Sequence, residues 1–300
     1  VLIAWLRRLL NRQRIATLHH ENSTQRSLEL GDKKVIIQGT KYKKRKEPCA
    51  SGTHGEVFEG RHAKTNQKVA IKHSHLSPIN SEENLKNEIK ILKELDHPNI
   101  VKTYHGHYSV RLEQAILIME YAQMDLFTLW AKHKFNESQC LKIASDIAAA
   151  LMYLHMQNII HRDVKIENIL VMGERFVLTD FGYAIKLAEN QRFIKGAKGT
   201  EFYIAPEIWG EYDCSVDIWA LGIALLVCAK RKIYKPNAEN IEEIVNNAVT
   251  NAATYLRAYP RLREIVQSSL QRDPQKRITA EKIYQEAEKH VRLPTIASHF

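Results

Sequence analysis

HRDVKIEN, His161–Asn168, is the stretch from which the rest of the chain can be read. It sets a carboxylate, Asp163, five positions before a carboxamide, Asn168, with a cation, Lys165, between them. A carboxylate can orient and deprotonate a hydroxyl, an amide oxygen can hold a hard metal ion, and a cation can meet charge developing on a transferring group. Phosphoryl transfer needs all three together. An octet alone is a weak match, so the weight falls on whether the flanking chain carries the remaining parts in order.

Downstream, Ile169–Val171 and Phe176–Leu178 read as a hairpin that delivers TDFG, Thr179–Gly182, with a second carboxylate, Asp180, 17 residues after Asp163. GTEFYIAPE, Gly199–Glu207, follows, then DIWALG, Asp217–Gly222, and RDPQKR, Arg272–Arg277. Upstream, Asn136–Gln157 has helical periodicity with Leu141, Ile147, Leu151 and Leu154 on one face. ILIMEYA, Ile116–Ala122, is an apolar strand. Ser81 can cap a helix running to about Leu95, with Glu82 and Glu83 in its first turn. Leu85, Ile89 and Leu92 share its inner face with Glu88, an acid that needs a partner there. Lys72, ending the strand VAIK, Val69–Lys72, is the natural one. CASGTHGEV, Cys49–Val57, has glycines at Gly52 and Gly55 that let backbone N–H groups approach a phosphate. His73, His75, His105 and His107 are expected on strands or turns without a metal.

These motifs, in this order, resemble the eukaryotic-type protein kinase family, Ser/Thr branch, over about Tyr42 to Arg292. The resemblance implies an α+β, bilobal fold: a small antiparallel-sheet N-lobe with one key helix, and a larger, mainly helical C-lobe. The corresponding divisions are 1–41, a basic extension with an amphipathic helix, 42–122, the N-lobe and hinge, and 123–300, the C-lobe. It implies ATP and Mg2+ as cofactors and a protein hydroxyl as acceptor. Asp163 would be the catalytic base and Lys165 its catalytic partner. Asn168 and Asp180 would hold the metal. Cys49, Gly52, Gly55, Val57, Ala70, Lys72, Glu88, Met119 (the gatekeeper), Glu120, Ala122, Asp125 and Leu170 would form the nucleotide site. Asp125 has a second reading, as a helix N-cap.

By the same resemblance Asp217 bonds the catalytic-loop backbone and Arg277 pairs with Glu207. Lys165 and GTEFYIAPE point to Ser/Thr rather than Tyr acceptors, and Tyr183 leans toward serine. Glu167 has two readings, a contact for substrate arginine or a solvated loop acid. There are three departures: Ala50 where the first glycine of the loop is usual, which stiffens the loop and weakens nucleotide binding modestly; Thr103 where an apolar residue is expected; and Ile166 in place of the more frequent proline. Ala50 and Thr103 are the hints toward the rival reading, a pseudokinase scaffold. Arg162 is of the kind that pairs with an activation-loop phosphate, yet Ala184–Gly199 contains no Ser, Thr or Tyr. The expectation is activity without phosphorylation there, with Glu189 as a substitute charge and Thr200 contacting substrate or Asp163.

Composition limits the alternatives. The net charge of +10 is concentrated in residues 1–46, which hold 12 Lys/Arg against 3 Asp/Glu; the rest holds 32 against 31. A nearly neutral body gives no expectation of specific nucleic-acid binding. Four dispersed cysteines without a CxxC pair suggest an intracellular, reducing compartment, cytoplasmic or alternatively nuclear. Residues 1–18 read as a basic amphipathic helix that suits an anionic membrane surface, a partner groove or, by preference, docking on the body. His19–Gln38 reads as a polar connection, and KYKKRK, Lys41–Lys46, as a solvated edge strand.

Overall fold

The computed structural model describes residues 28–31, 33–52, 55–78, 80–230, 246, 249–250 and 252–291. The amphipathic segment read over residues 1–18 lies outside them. The chain divides into two compact units, residues up to 89 with 103–121, and residues 90–102 with those from 122 onward.

The first unit is an antiparallel sheet. Its strands are β1 (Leu28–Gly31), β2 (Lys34–Ile37), β3 (Thr40–Lys44), β4 (Ala50–Gly52), β5 (Gly55–His62), β6 (Lys68–His75), β7 (Thr103–Ser109) and β8 (Gln114–Glu120). They run in the order β1-β2-β3-β5-β6-β8-β7, with β4 paired to β5. Alternation explains the strands. Val35 and Ile37, Tyr42, Phe58, Val69 and Ile71, and Ile116 and Ile118 are buried in one cluster. Each such side chain stabilises by about 1.5–3 kcal/mol. His73 and His75 lie on β6, and His105 and His107 on β7.

Two expectations change here. Part of the segment read as a polar connection is the β1–β2 hairpin, whose Leu28 and Leu30 pack on the cluster. Gln38 and Gly39, both at positive φ (50° and 77°), make a two-residue turn from β2 to β3. Such a turn matches the twist of paired strands. The lysine-rich strand β3 is consequently not an edge: it pairs with β2 on one side and β5 on the other. Lys41 and Lys43 still reach solvent because strand side chains alternate, leaving Tyr42 to the core.

Helix α1 (Glu82–Glu94) begins where Ser81 Oγ accepts from Asn84 N at 3.2 Å. It buries Leu85, Ile89, Ile91 and Leu92.

In the second unit, β9 (Met124–Asp125) leads into α2 (Leu126–Lys132) and α3 (Glu137–Met156). A capping box starts α3: Asn136 Oδ1 accepts from Gln139 N, and Gln139 Oε1 accepts from Asn136 N. After β10 (Ile159–Ile160), β11 (Ile169–Met172) and β12 (Arg175–Leu178) form the expected hairpin, with Ile169 opposite Leu178. β13 (Ile185–Lys186) pairs with β10. Helix α4 (Ser215–Lys230) is buried at every position from Val216 to Ala229. A helix apolar on all sides belongs in a core, and its one acid, Asp217, must therefore find polar partners. Helices α5 (Pro260–Ser269) and α6 (Ala280–Glu288) complete the unit.

Candidate active site

The catalytic loop is held from below by Asp217. Its carboxylate, 0% exposed, accepts from the backbone N–H of His161 at 2.9 Å and of Arg162 at 2.8 Å, and from His155 Nε2 at 2.9 Å. Burial alone would push His155 down, but the bond to the Asp217 carboxylate outweighs it and raises the imidazole to about 10. Burial opposes ionisation of Asp217 too, and the bond from His155 holds its carboxyl below the ordinary value. The pair is a buried imidazolium–carboxylate. These bonds fix Arg162 at φ 66°, a left-handed conformation uncommon for a residue with a side chain.

On this base stands a second imidazole. His161 accepts from Asp163 N at Nδ1 (3.3 Å), so its Nε2 is left to donate to Thr179 O (3.1 Å). Burial pushes its pKa down and favours the neutral ring that both bonds require. The ring meets Phe181 edge-on at 4.8 Å, and Phe181 is fully buried. His161 thereby ties the loop to the TDFG stretch.

Asp163 is at the centre, 2% exposed. Its Oδ1 accepts from Thr200 Oγ1 at 2.7 Å. Its Oδ2 accepts from Asn168 Nδ2 at 2.8 Å and pairs with Lys165 Nζ at 2.7 Å. Lys165 also donates to Thr200 Oγ1 at 2.7 Å, closing a ring of three. Asn168 Nδ2 donates again to Asp163 O at 2.9 Å, so its amide turns Oδ1 away from Asp163. The β11–β12 hairpin brings Asn168 and Thr179 to one end, with Thr179 N donating to Asn168 O at 3.0 Å. Asp180 follows at φ 63°. A freed amide oxygen and a carboxylate at one hairpin end are hard oxygen donors of the kind magnesium takes, so the residues present fit that ion.

Asp125 Oδ1 accepts from Thr128 N at 2.6 Å and caps α2. The capping reading is thus realised, and a carboxylate has a second oxygen to offer. Leu170 lies opposite Asp125 in the β9–β11 ladder, and half-buried Ala122 opens the same unit.

In the first unit Lys72 Nζ sits 2.7 Å from Glu88 Oε1, with side chains 8% and 2% exposed. Val57 faces Lys72 across β5–β6, and Ala70 faces the buried Met119 across β6–β8. Glu120, half-buried, ends β8 opposite Val69. In the glycine-rich strands, Cys49 N and Sγ both donate to Val57 O, at 2.8 and 3.2 Å. Gly55 has φ 133°, and a Cβ there would lie 2.1 Å from His73 O, so only glycine fits. At Gly52 a Cβ would meet nothing within 4 Å, so the space on that side is open. These features fit ATP.

Around the catalytic loop, Arg277 forms a two-pronged ion pair with Glu207. Arg162 finds its partners in Tyr183 O (Nε, 2.6 Å) and Tyr212 Oη (Nη1, 3.2 Å), not in Glu189, which is exposed. The substitute-charge expectation for Glu189 is therefore corrected. A small hollow, with room for about one water, lies beside Asp163, lined among others by Thr200, Tyr203, Ile208 and Ala220. The structure adds two residues that the sequence reading did not single out, His155 and Tyr212. His155 follows the apolar face of α3 by one residue, a weak signal, and Tyr212 had none.

Comparison with known proteins now decides the family. Residues 44–287 match the model of the protein kinase domain. The chain belongs to the protein kinase family. It is 38% identical over 224 residues to "Calcium-dependent protein kinase 5" of Plasmodium berghei, covering 71% of this chain and 38% of that protein. It is 36% identical over 251 residues to "Serine/threonine-protein kinase DCLK3" of Mus musculus, covering 78% and 31%. For "Serine/threonine-protein kinase TAO2" of Xenopus laevis the figures are 35% over 245 residues, 77% and 23%. The chain thus spans well under half the length of each of these relatives. They place the kinase on the Ser/Thr branch, with the bilobal fold of the family, and do not favour the pseudokinase reading.

Proposed function

We propose that this kinase transfers the γ-phosphoryl group of ATP to serine or threonine hydroxyls of a protein. The ring of Asp163, Lys165 and Thr200 carries the reading, because it places a carboxylate and a cation at hydrogen-bond distance around one hydroxyl. A substrate hydroxyl taking the place of the Thr200 hydroxyl would donate its proton to Asp163. Its oxygen forms the new P–O bond as the bond to the leaving ADP oxygen breaks. Lys165 meets the charge on the transferring group. Asn168 and Asp180 would hold Mg2+, which when bound neutralises charge on the phosphates. In the first unit Lys72, oriented by Glu88, offers a cation to nucleotide phosphates, and the Gly52 backbone offers an approach without a Cβ.

A reducing location, cytoplasmic or nuclear, is part of the proposal and is supported by four unpaired cysteines; imaging the tagged chain tests it. Contact of residues 1–18 with a partner or a membrane surface is proposed from their sequence, and vesicle flotation tests it. The central test is transfer from labelled ATP to a generic basic protein with magnesium, followed by phosphoamino-acid analysis. Phosphoserine and phosphothreonine are expected. Phosphotyrosine alone, or no transfer in any phosphorylation state, sinks the proposal.

A further inference from the structure

The segment Ala184–Gly199 has no side-chain hydroxyl that a phosphate could occupy. The two hydroxyls that follow are committed elsewhere. Thr200 is bonded to Asp163 and Lys165, and Tyr203 is 9% exposed. A phosphate on Thr200 would set two negative groups against each other inside the site.

Arg162 nevertheless has two partners. Its Nε donates to Tyr183 O just before the segment, and its Nη1 donates to Tyr212 Oη just after it. The same Tyr212 hydroxyl donates onward to Gly196 O at 2.8 Å, inside the segment. The tyrosine is 1% exposed, so its hydroxyl works where water competes little. Two backbone bonds join Tyr212 to Ile194, at 2.9 and 3.0 Å. Gly199, at φ 120°, closes the segment against the loop: a Cβ there would lie 2.6 Å from Arg162 O. The exposed pair Lys195–Glu211, at 3.4 Å, adds little. One neutral hydroxyl therefore bridges the catalytic loop and the segment, a task that elsewhere falls to an anion facing an arginine.

We propose that Tyr212 is a positioning residue for phosphoryl transfer: its hydroxyl, shared between Arg162 and Gly196 O, holds Ala184–Gly199 in the working arrangement without phosphorylation. The proposal rests on the transfer activity inferred above. It needs no activating kinase acting on this segment.

The test uses the full chain, produced in a eukaryotic host, before and after phosphatase treatment, with intact mass confirming the phosphate-free state. Phosphatase treatment is expected to leave kcat unchanged. Tyr212→Phe, which keeps the ring, is expected to lower kcat about fivefold to tenfold while the KM for ATP stays the same. Trypsin should cut at Lys186, Arg192, Lys195 or Lys198 faster in that variant. Arg162→Lys and Tyr212→Phe combined should lose no more than the worse single change, because both break one bridge. Wild-type kcat in Tyr212→Phe overturns the proposal. So does wild type that is active as purified and silent after phosphatase, a result that leaves the transfer reading intact. Wild type silent in both states removes the transfer reading, and this proposal with it.

Discussion

Between His161 and Asn168 five side chains bond to other groups of the protein: His161, Arg162, Asp163, Lys165 and Asn168. Between Cys49 and Val57 the bonds run chiefly through the backbone, and the ladder of β4 against β5 is exposed on β4. Both stretches read as parts of one phosphate chemistry, yet they are built in opposite ways. The loop is a buried network in which each group fixes the next, so that removing one leaves another unsatisfied. The strand pair offers main-chain groups and depends on what is missing, a Cβ, more than on what is present. The loop is preorganised by side chains, and the strand pair by backbone shape.

The comparison can be broken first at its most sensitive point. Asp163→Ala should lower kcat by about 10²- to 10⁴-fold, read in the labelled-ATP assay, with folding intact by circular dichroism. Next comes the support beneath the loop. Asp217→Asn removes the counter-charge of a buried imidazolium and turns one of the two acceptors for loop N–H groups into a donor, and should cost about 3–5 kcal/mol in urea unfolding. A fully stable Asp217→Asn would mean that the network is decoration. The strand pair sharpens the contrast from the other side. Gly55→Ala must displace the His73 carbonyl and should cost about 1–3 kcal/mol, whereas Gly52→Ala should fold as wild type. Equal losses at the two glycines would contradict the backbone account.

Titration separates the two regions as well. His155 has its folded pKa raised to about 10, above its unfolded value. The stability it contributes is complete below its unfolded pKa and is lost as pH rises through about 10. Melting temperature should therefore fall on the alkaline side, and His155→Gln should flatten that fall. The smallest effect is a gain. Thr103 Oγ1 is buried without a partner among the described residues. Thr103→Val keeps its shape, removes the unpaired hydroxyl, and should stabilise by about 1 kcal/mol in the same unfolding experiment.

How much of this was legible beforehand follows from the same contrast. Asp163, Asn168, Asp180, Lys72 and Glu88 could be proposed from sequence because phosphate chemistry demands those residue types and they stand in the order the family resemblance implies. Lys72 and Glu88 meet at 2.7 Å as the helical face suggested, and Asp217 and Arg277 hold the partners expected of them. The β1–β2 hairpin was hidden because four-residue strands with Lys and Glu outward look like a polar connection. Only the alternation of Val35 and Ile37 with Leu28 and Leu30 gave it away. Missing that hairpin also misplaced β3 at an edge. Tyr212 could not be found from sequence, since its role comes from a loop arginine 50 residues earlier and a glycine carbonyl 16 residues earlier. Backbone acceptors of that kind leave no trace in composition.

The most direct measurement pairs transfer with nucleotide binding in one sample. Wild type and Asp163→Ala are assayed for magnesium-dependent phosphate transfer, and their melting temperatures are recorded with and without ATP and magnesium. The account predicts that both proteins gain the same thermal shift from nucleotide and that only wild type transfers phosphate. Transfer by Asp163→Ala at the wild-type rate would contradict the role given to Asp163 and, with it, the account of the catalytic loop.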